Sequence, residues 1–199
     1  MLAFPCMGQP IPFSSGRYIS NLMVDENEIP EGKKWLIASR LVSRLPVMYD
    51  IAFRKIVGDS YDTIERDIWI ELAKEAKTVA DAFRLPTKTA PDLAVTYRII
   101  ANIFFGPAYT MEHIRLGEDR SVIRITRCPF VFCETEMHCQ FGHLFSRCLT
   151  FSVATIEILN PEYTLRFVRS MCMGDKSCEM KIVKKDTVEE KEQGKKKET

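Results

Sequence analysis

Apolar residues recur every three or four positions along the first half of the chain, which is the spacing of one helix face. The pattern predicts helices at about 33–58, 61–83 and 91–106. Pro46 lies inside the first and predicts a kink or split, because proline removes one backbone donor. We expect these helices to form an apolar lid. The predicted apolar face of the first helix consists of Trp35, Leu36, Leu41, Val42, Leu45, Met48, Tyr49, Ala52 and Phe53. The predicted apolar face of the second helix consists of Ile64, Ile68, Leu72, Ala76, Val79 and Phe83.

The second half changes to the alternating pattern of β-strands. Strands are predicted at 109–116 and 121–127, then a helix at about 144–159, then strands at 164–171 and 178–183 that flank a Gly-Asp turn. The fold class is therefore α+β, with a helical N-terminal half packed on an antiparallel sheet that ends in a cysteine-flanked hairpin.

The chain divides into three regions by pattern. Residues 1–22 have no periodicity and read as a loose extension, with Met23 as an alternative start to Met1. Residues 23–184 form a single predicted domain. Residues 185–199 are almost all charged or polar and are predicted to be disordered.

Composition narrows the class of protein. The chain has 199 residues, 46% of them hydrophobic, and a formal net charge of +1, which argues against nucleic-acid binding. No apolar stretch approaches the roughly 20 residues of a membrane helix, and the N-terminus is a poor secretory signal. We therefore expect a cytoplasmic protein with reduced thiols and no membrane association.

Six of the seven cysteines fall between positions 128 and 178, which makes this region the candidate site. A structural zinc ion needs four ligands, usually as two close pairs. One pair is Cys172 and Cys178, at the shoulders of the last turn. Cys139 and His143 are the second candidate pair, and Cys148 or Cys128 can replace His143. An iron–sulfur cluster and simple burial of free thiols are the alternatives.

Two other chemistries fit the same cysteines. In a hydrolase, Cys128 or Cys139 would attack an electrophilic carbon, or a metal-bound water would do so, while a histidine such as His143 transfers protons. In a redox switch, Cys172 and Cys178 would form a reversible disulfide across their turn.

Residues 166–182 are similar to the closing hairpin of the 4-vinyl reductase domain. They also resemble the ending of the L-2-amino-thiazoline-4-carboxylic acid hydrolase-like proteins. In the second group the resemblance extends to the Arg127-Cys128-Pro129 step, to Cys139 and to a helix leading into the hairpin. It covers about residues 35–183.

The resemblance implies an often dimeric small-molecule-binding fold with a pocket between helices and sheet. In domains of the 4-vinyl reductase type, cysteines and a carboxylate hold zinc beside that pocket. Cys178 matches the final cysteine ligand, whereas the preceding cysteine and the acidic ligand fall at Ser170 and Phe167. Cys172 would take over as a ligand in their place, and Cys139 or Cys148 would be the upstream partner ligand.

We therefore expect a homodimeric small-molecule-binding protein with a cysteine-rich candidate metal site near the closing hairpin. Its candidate ligands are Cys139, His143, Cys148, Cys172 and Cys178. The alternatives are hydrolysis of a cyclic C–N bond in a small heterocycle resembling 2-aminothiazoline-4-carboxylate, and the thiol redox switch.

Overall fold

The computed structural model describes residues 29–132 and 141–185. The four long helices of this part are α1 (Glu31–Val57), α2 (Tyr61–Ala82), α3 (Ala90–Phe105) and α4 (Phe141–Leu159). Its strands are β1 (Thr110–Arg115), β2 (Arg120–Arg127), β3 (Tyr163–Arg169) and β4 (Cys178–Lys184). The predicted α+β class, with a helical N-terminal half and an antiparallel sheet, is confirmed.

The four strands form one antiparallel sheet in the order β1-β2-β4-β3. The closing hairpin thus adds β4 beside β2 and leaves β3 at the edge. Ile123 of β2 lies opposite Met180 of β4, and both are buried. This order places Cys178, the first residue of β4, opposite Ile125 near the end of β2.

The core forms where α2, α3 and α4 meet the sheet. α3 begins with a capping box in which the side chains of Thr89 and Asp92 each accept a hydrogen bond from the other's backbone N–H. Farther along the helix, Ile100 is fully buried, as are Ile156 of α4 and Met180 of the sheet. The hydrophobic effect therefore holds these elements together.

Pro46 does not split α1, so of the two predicted outcomes, a kink or a split, the split is wrong. The helix is continuous from Glu31 to Val57 with Pro46 inside it. Proline removes a single backbone donor, and the helical hydrogen bonds on either side maintain the helix.

The predicted lid face of α1 is wrong as well. The buried residues of α1 are Ser39, Ser43, Val47 and Asp50, and most of the predicted apolar positions are exposed. In α2 the buried residues are Tyr61, Glu65, Trp69, Ala73, Ala76 and Ala80, whereas Ile64 and Ile68 are exposed. Small side chains let these helices approach their neighbours closely, and the buried carboxylates gain cationic partners described below.

The predicted extension 1–22 and the predicted tail, except Lys185, lie outside the described residues. No helix within the described ranges is long and apolar enough to cross a membrane.

Candidate functional site: a thiol-lined cavity

A cavity of about 20 Å³ lies between the helices and the sheet. Seven of its seventeen lining residues are aromatic. Phe105 of α3 packs edge-on against Phe130 at 4.9 Å and against Phe151 of α4 at 5.2 Å between ring centroids. Trp69 of α2 makes edge contacts with the same two rings, Phe130 and Phe151. The volume accommodates about one water molecule.

Four cysteines from four parts of the chain line this cavity. Cys128 follows β2, Cys148 lies on α4, Cys172 lies in a 3₁₀ turn, and Cys178 begins β4. The structure thus brings together the two hairpin cysteines and two of the upstream cysteines singled out in the sequence. All four are free thiols.

The loop between β3 and β4 positions the two hairpin cysteines. It contains a 3₁₀ turn, Met171–Met173, followed by Gly174 with a φ of +97°, a conformation that favours glycine. The Asp175 carboxylate accepts a hydrogen bond from the Ser170 backbone N–H at 2.9 Å. The Met171 N–H donates to the Cys178 sulfur at 3.3 Å. These bonds fix the loop so that both thiols face the cavity.

Burial and hydrogen bonding keep the thiols of Cys128, Cys148 and Cys178 protonated. Burial raises the pKa of Cys128 to about 12. The pKa of Cys148 is raised well above its usual value, first by a hydrogen bond with Cys172 and then by burial. Burial also raises the pKa of Cys178, although the Met171 N–H partly offsets this effect. Since the thiolate is the reactive form, these thiols are poor nucleophiles and metal ligands while the cavity is closed.

Hydroxyl groups supply polar contacts at the same cavity. The hydroxyl groups of Tyr97 and Ser152 hydrogen-bond each other at 2.8 Å. The Cys128 thiol donates to the Tyr109 hydroxyl at 3.8 Å. Burial raises the pKa of Tyr109 well above its usual value, so this phenol stays neutral. These groups line the cavity together with its aromatic rings.

Arg147 of α4 also lines the cavity, and it is only 2% exposed to solvent. Its guanidinium lies 2.9 Å from the Asp50 carboxylate of α1 and 2.6 Å from the Glu65 carboxylate of α2. Burial raises the pKa of Glu65, and Arg147 opposes that shift. Sequence reasoning missed Arg147. A single cation inside the otherwise uncharged stretch 144–156 was the available signal, because such a charge needs partners when it is buried.

His143 does not line the cavity. Its Nδ1 atom lies 3.7 Å from the Asp62 carboxylate of α2, and Asp62 also accepts a hydrogen bond from Arg54 at 2.6 Å. That bond lowers the pKa of Asp62. His143 therefore belongs to the polar junction of α1, α2 and α4. Cys139, the other half of its predicted pair, lies outside the described residues.

The described residues alone do not fit a zinc site. Within 29–132 and 141–185, no group of three or more histidine, cysteine, aspartate or glutamate residues could hold a metal ion. Phe167 and Ser170, which occupy the positions of the missing family ligands, both line the cavity. A phenyl ring offers zinc no ligand atom, and a serine hydroxyl is not among its usual ligands. The metal assignment stays a prediction.

Comparison with known proteins gives a likeness of fold but no match of sequence. No family model matches the sequence, and no curated protein matches it. The fold is similar to the crystal structure of a trafficking protein particle complex subunit 3 from Naegleria fowleri covalently bound to palmitic acid, with a TM-score of 0.51 and 11% identity. The match covers 75% of this chain and 96% of that chain. At this identity the likeness shows the fold alone.

Proposed function

We propose that this chain binds a small, mainly apolar molecule in the thiol-lined cavity. The observation that carries the proposal is the convergence of aromatic rings, four thiols and a few hydroxyl groups on one enclosed space. Ligand sites in proteins are commonly concave and apolar, with a small number of polar groups that fix orientation. The polar groups here include the hydroxyls of Tyr97, Tyr109, Ser152 and Ser170 and the guanidinium of Arg147, which is already paired with two carboxylates.

The size of the cavity sets a condition on binding. Ligand pockets usually measure roughly 300–1,000 Å³, and this cavity measures about 20 Å³. A ligand larger than a water molecule therefore has to displace wall side chains. Met180 is the most adaptable of them, because methionine has three rotatable bonds and no branching.

Two ligand classes follow from separate observations. The hairpin motif resembles the 4-vinyl reductase and thiazoline-hydrolase-like groups, which suggests a small heterocycle such as 2-aminothiazoline-4-carboxylate. The structural neighbour is covalently bound to palmitic acid, which suggests a fatty acyl chain. The apolar walls suit either class, but an acyl chain demands far more opening.

Membership of the 4-vinyl reductase or thiazoline-hydrolase-like group stays a proposal, as do the homodimer and the cytoplasmic location. The free state of Cys128, Cys148, Cys172 and Cys178 supports a reducing compartment. A hydrolase using Cys128 remains a prediction, and the raised pKa of this thiol weighs against it. Turnover of 2-aminothiazoline-4-carboxylate that is lost in Cys128→Ala would restore it.

Tryptophan fluorescence gives a direct binding test. Trp69 lines the cavity, whereas Trp35 is exposed, so Trp35→Phe leaves a single reporter. We expect Trp69 emission to change saturably with at least one of benzene, 2-aminothiazoline-4-carboxylate and palmitic acid.

A matched pair of variants shows whether the fluorescence change comes from binding inside the cavity. Cys148→Phe fills the cavity and should abolish the fluorescence change. Leu149→Phe adds a ring at the next, more exposed position of α4 and should preserve it. Failure of all three probes, or a response that survives Cys148→Phe, would contradict the proposal.

A further inference from the structure

A groove of about 460 Å³, which we call the edge groove, lies on the surface between the start of α1, one side of α3 and the edge strand β1. It is more open to solvent than the cavity. Among the described residues, Tyr109 is the one lining residue that the two spaces share. The volume of the edge groove falls within the roughly 300–1,000 Å³ of ligand pockets. A small molecule therefore fits it without displacing wall side chains.

The edge groove has accessible apolar walls. Trp35 of α1 is 42% exposed and Ile103 of α3 is 43% exposed, and both line the groove. Ile99, one helical turn before Ile103, and Met111 of β1 line it as well and are half-buried. The lining thus offers one indole ring and three aliphatic side chains to the body of a ligand.

Three polar side chains lie along the same groove: Arg98 and Asn102 of α3 and Thr110 of β1. Arg98 and Asn102 are four positions apart and so share a helix face. The Asn102 side-chain amide donates to the Arg98 carbonyl at 3.1 Å. Arg98 is exposed, and no carboxylate of the described residues forms an ion pair with it. Its guanidinium is therefore available to an anionic group of a ligand.

His113 of β1 shows that the electrostatic potential beside the edge groove is positive. His113 lies two positions after Met111, which places both side chains on the same face of the strand. Its Nε2 atom lies 2.7 Å from the Ser121 hydroxyl. Burial lowers the pKa of His113, and the positive charges of Arg98 and Arg115 lower it further. A positive potential at an apolar groove favours a ligand that combines an apolar body with a negative charge.

We propose that the edge groove binds a small aromatic carboxylate, with its ring against Trp35 and Ile103 and its carboxylate at the Arg98 guanidinium. Arginine binds carboxylates through two parallel hydrogen bonds. A flat ring suits the indole of Trp35 and, being rigid, loses less conformational freedom on binding than an alkyl chain does. The site is separate from the cavity, so the inference goes beyond the proposed function.

Two-dimensional proton–nitrogen NMR of the full chain tests the proposal with phenylacetate as the probe. The chain has two tryptophans, and Trp35→Phe identifies which indole N–H signal belongs to Trp35. At constant ionic strength, phenylacetate should shift the Trp35 signal saturably and leave the Trp69 signal in place. Phenylacetamide has the same shape without the charge and should bind at least about tenfold more weakly. Acetate lacks the ring and should leave the Trp35 signal unchanged.

Substitution of Arg98 separates charge recognition from apolar contact. Arg98→Gln should bind phenylacetate at least about tenfold more weakly and lose the preference over phenylacetamide. Arg66→Gln is the matched control, because Arg66 is exposed on α2 and does not line the groove, and it should bind as the wild type does. The spectrum of each variant also shows that it is folded.

The pKa of His113, followed by NMR, gives a second readout. It should rise when phenylacetate binds and also in unliganded Arg98→Gln, because both changes reduce the positive charge near the imidazole. The rise with phenylacetate should be absent in Arg98→Gln.

Three results would each overturn the proposal: no saturable shift of the Trp35 signal at millimolar phenylacetate, equal binding of phenylacetate and phenylacetamide, or an unchanged preference in Arg98→Gln. The cavity function is judged separately by the response of Trp69 in the Trp35→Phe variant. Failure of that response would leave the edge groove proposal intact.

Discussion

Helix α1 and the helices around the cavity, α3 and α4, show two ways in which a helix can be buried. α3 and α4 bury apolar residues such as Leu93 and Ile156. α1 buries Ser39, Ser43 and Asp50 and, apart from Val47, leaves most of its apolar residues exposed. The comparison teaches that periodicity identifies an apolar face without identifying what covers it.

The inverted burial of α1 is possible because its polar groups have partners. The Ser39 hydroxyl donates to the Leu36 carbonyl at 3.1 Å, and the Ser43 hydroxyl donates to the Ser39 carbonyl at 3.0 Å. Asp50 is paired with Arg147 and also accepts a hydrogen bond from Arg54 at 2.7 Å. Buried polar groups cost little when they are satisfied in this way.

The largest loss of stability should come from breaking the ion pairs that Arg147 of α4 makes with α1 and α2. Arg147→Ala would leave the Asp50 and Glu65 carboxylates buried without this cation. We expect the free energy of unfolding to fall by about 3–5 kcal/mol, measured by urea denaturation. Arg98→Ala, at an exposed position of α3, is the control and should change it by less than about 0.5 kcal/mol. An unchanged midpoint for Arg147→Ala would mean that the ion pairs do not join α1 to the core.

A pair of leucine truncations compares the two kinds of helix face directly. Leu93→Ala removes a fully buried side chain and should cost about 2–5 kcal/mol. Leu41→Ala should cost the isolated protomer less than about 0.5 kcal/mol, because the side chain is exposed there. Chemical denaturation at several protein concentrations measures both. Equal losses for the two variants at high dilution would remove the contrast between the faces.

A smaller loss of stability is expected from a substitution at Gly106, where α1 packs closely against the end of α3. Gly106 has a φ of +87°, and a Cβ atom placed there would lie 2.0 Å from the Ser39 hydroxyl oxygen. Gly106→Ala should therefore cost more than Gly174→Ala, which has a similar positive φ but open space around it. We expect about 1–3 kcal/mol for the strain alone and an additional loss at Gly106 from the clash. Adding Ser39→Gly should recover that additional loss, and no recovery would contradict the close contact.

Alkaline pH should destabilise the cavity region by a modest amount. The folded pKa of Cys128, about 12, is above its ordinary value of 9.0, so its contribution is complete below pH 9 and is lost as the pH rises toward 12. At about pH 10 we expect a loss of roughly 1.4 kcal/mol from this thiol, measured by urea denaturation against pH. Cys128→Ala should flatten that part of the profile. A profile with the same slope in both proteins would indicate that Cys128 is not buried as described.

The sequence alone was sufficient to predict the main helices and strands and part of the candidate site. The Gly-Asp turn predicted that Cys172 and Cys178 flank a loop, and helical spacing predicted α2 to within a residue at each end. The burial of Glu65 could not be predicted, because its counter-charge Arg147 is 82 positions away in sequence. Periodicity also could not reveal that Ser39 meets Gly106, since this contact depends on how α1 crosses α3.

Peptide-resolved alkylation of the native chain tests the central claim, that Cys128, Cys148, Cys172 and Cys178 surround one closed cavity. Iodoacetamide should modify all four far more slowly in the folded protein than in urea, and the four rates should rise together under conditions that open the cavity. One of these thiols reacting at its unfolded rate while the others stay protected would contradict the account.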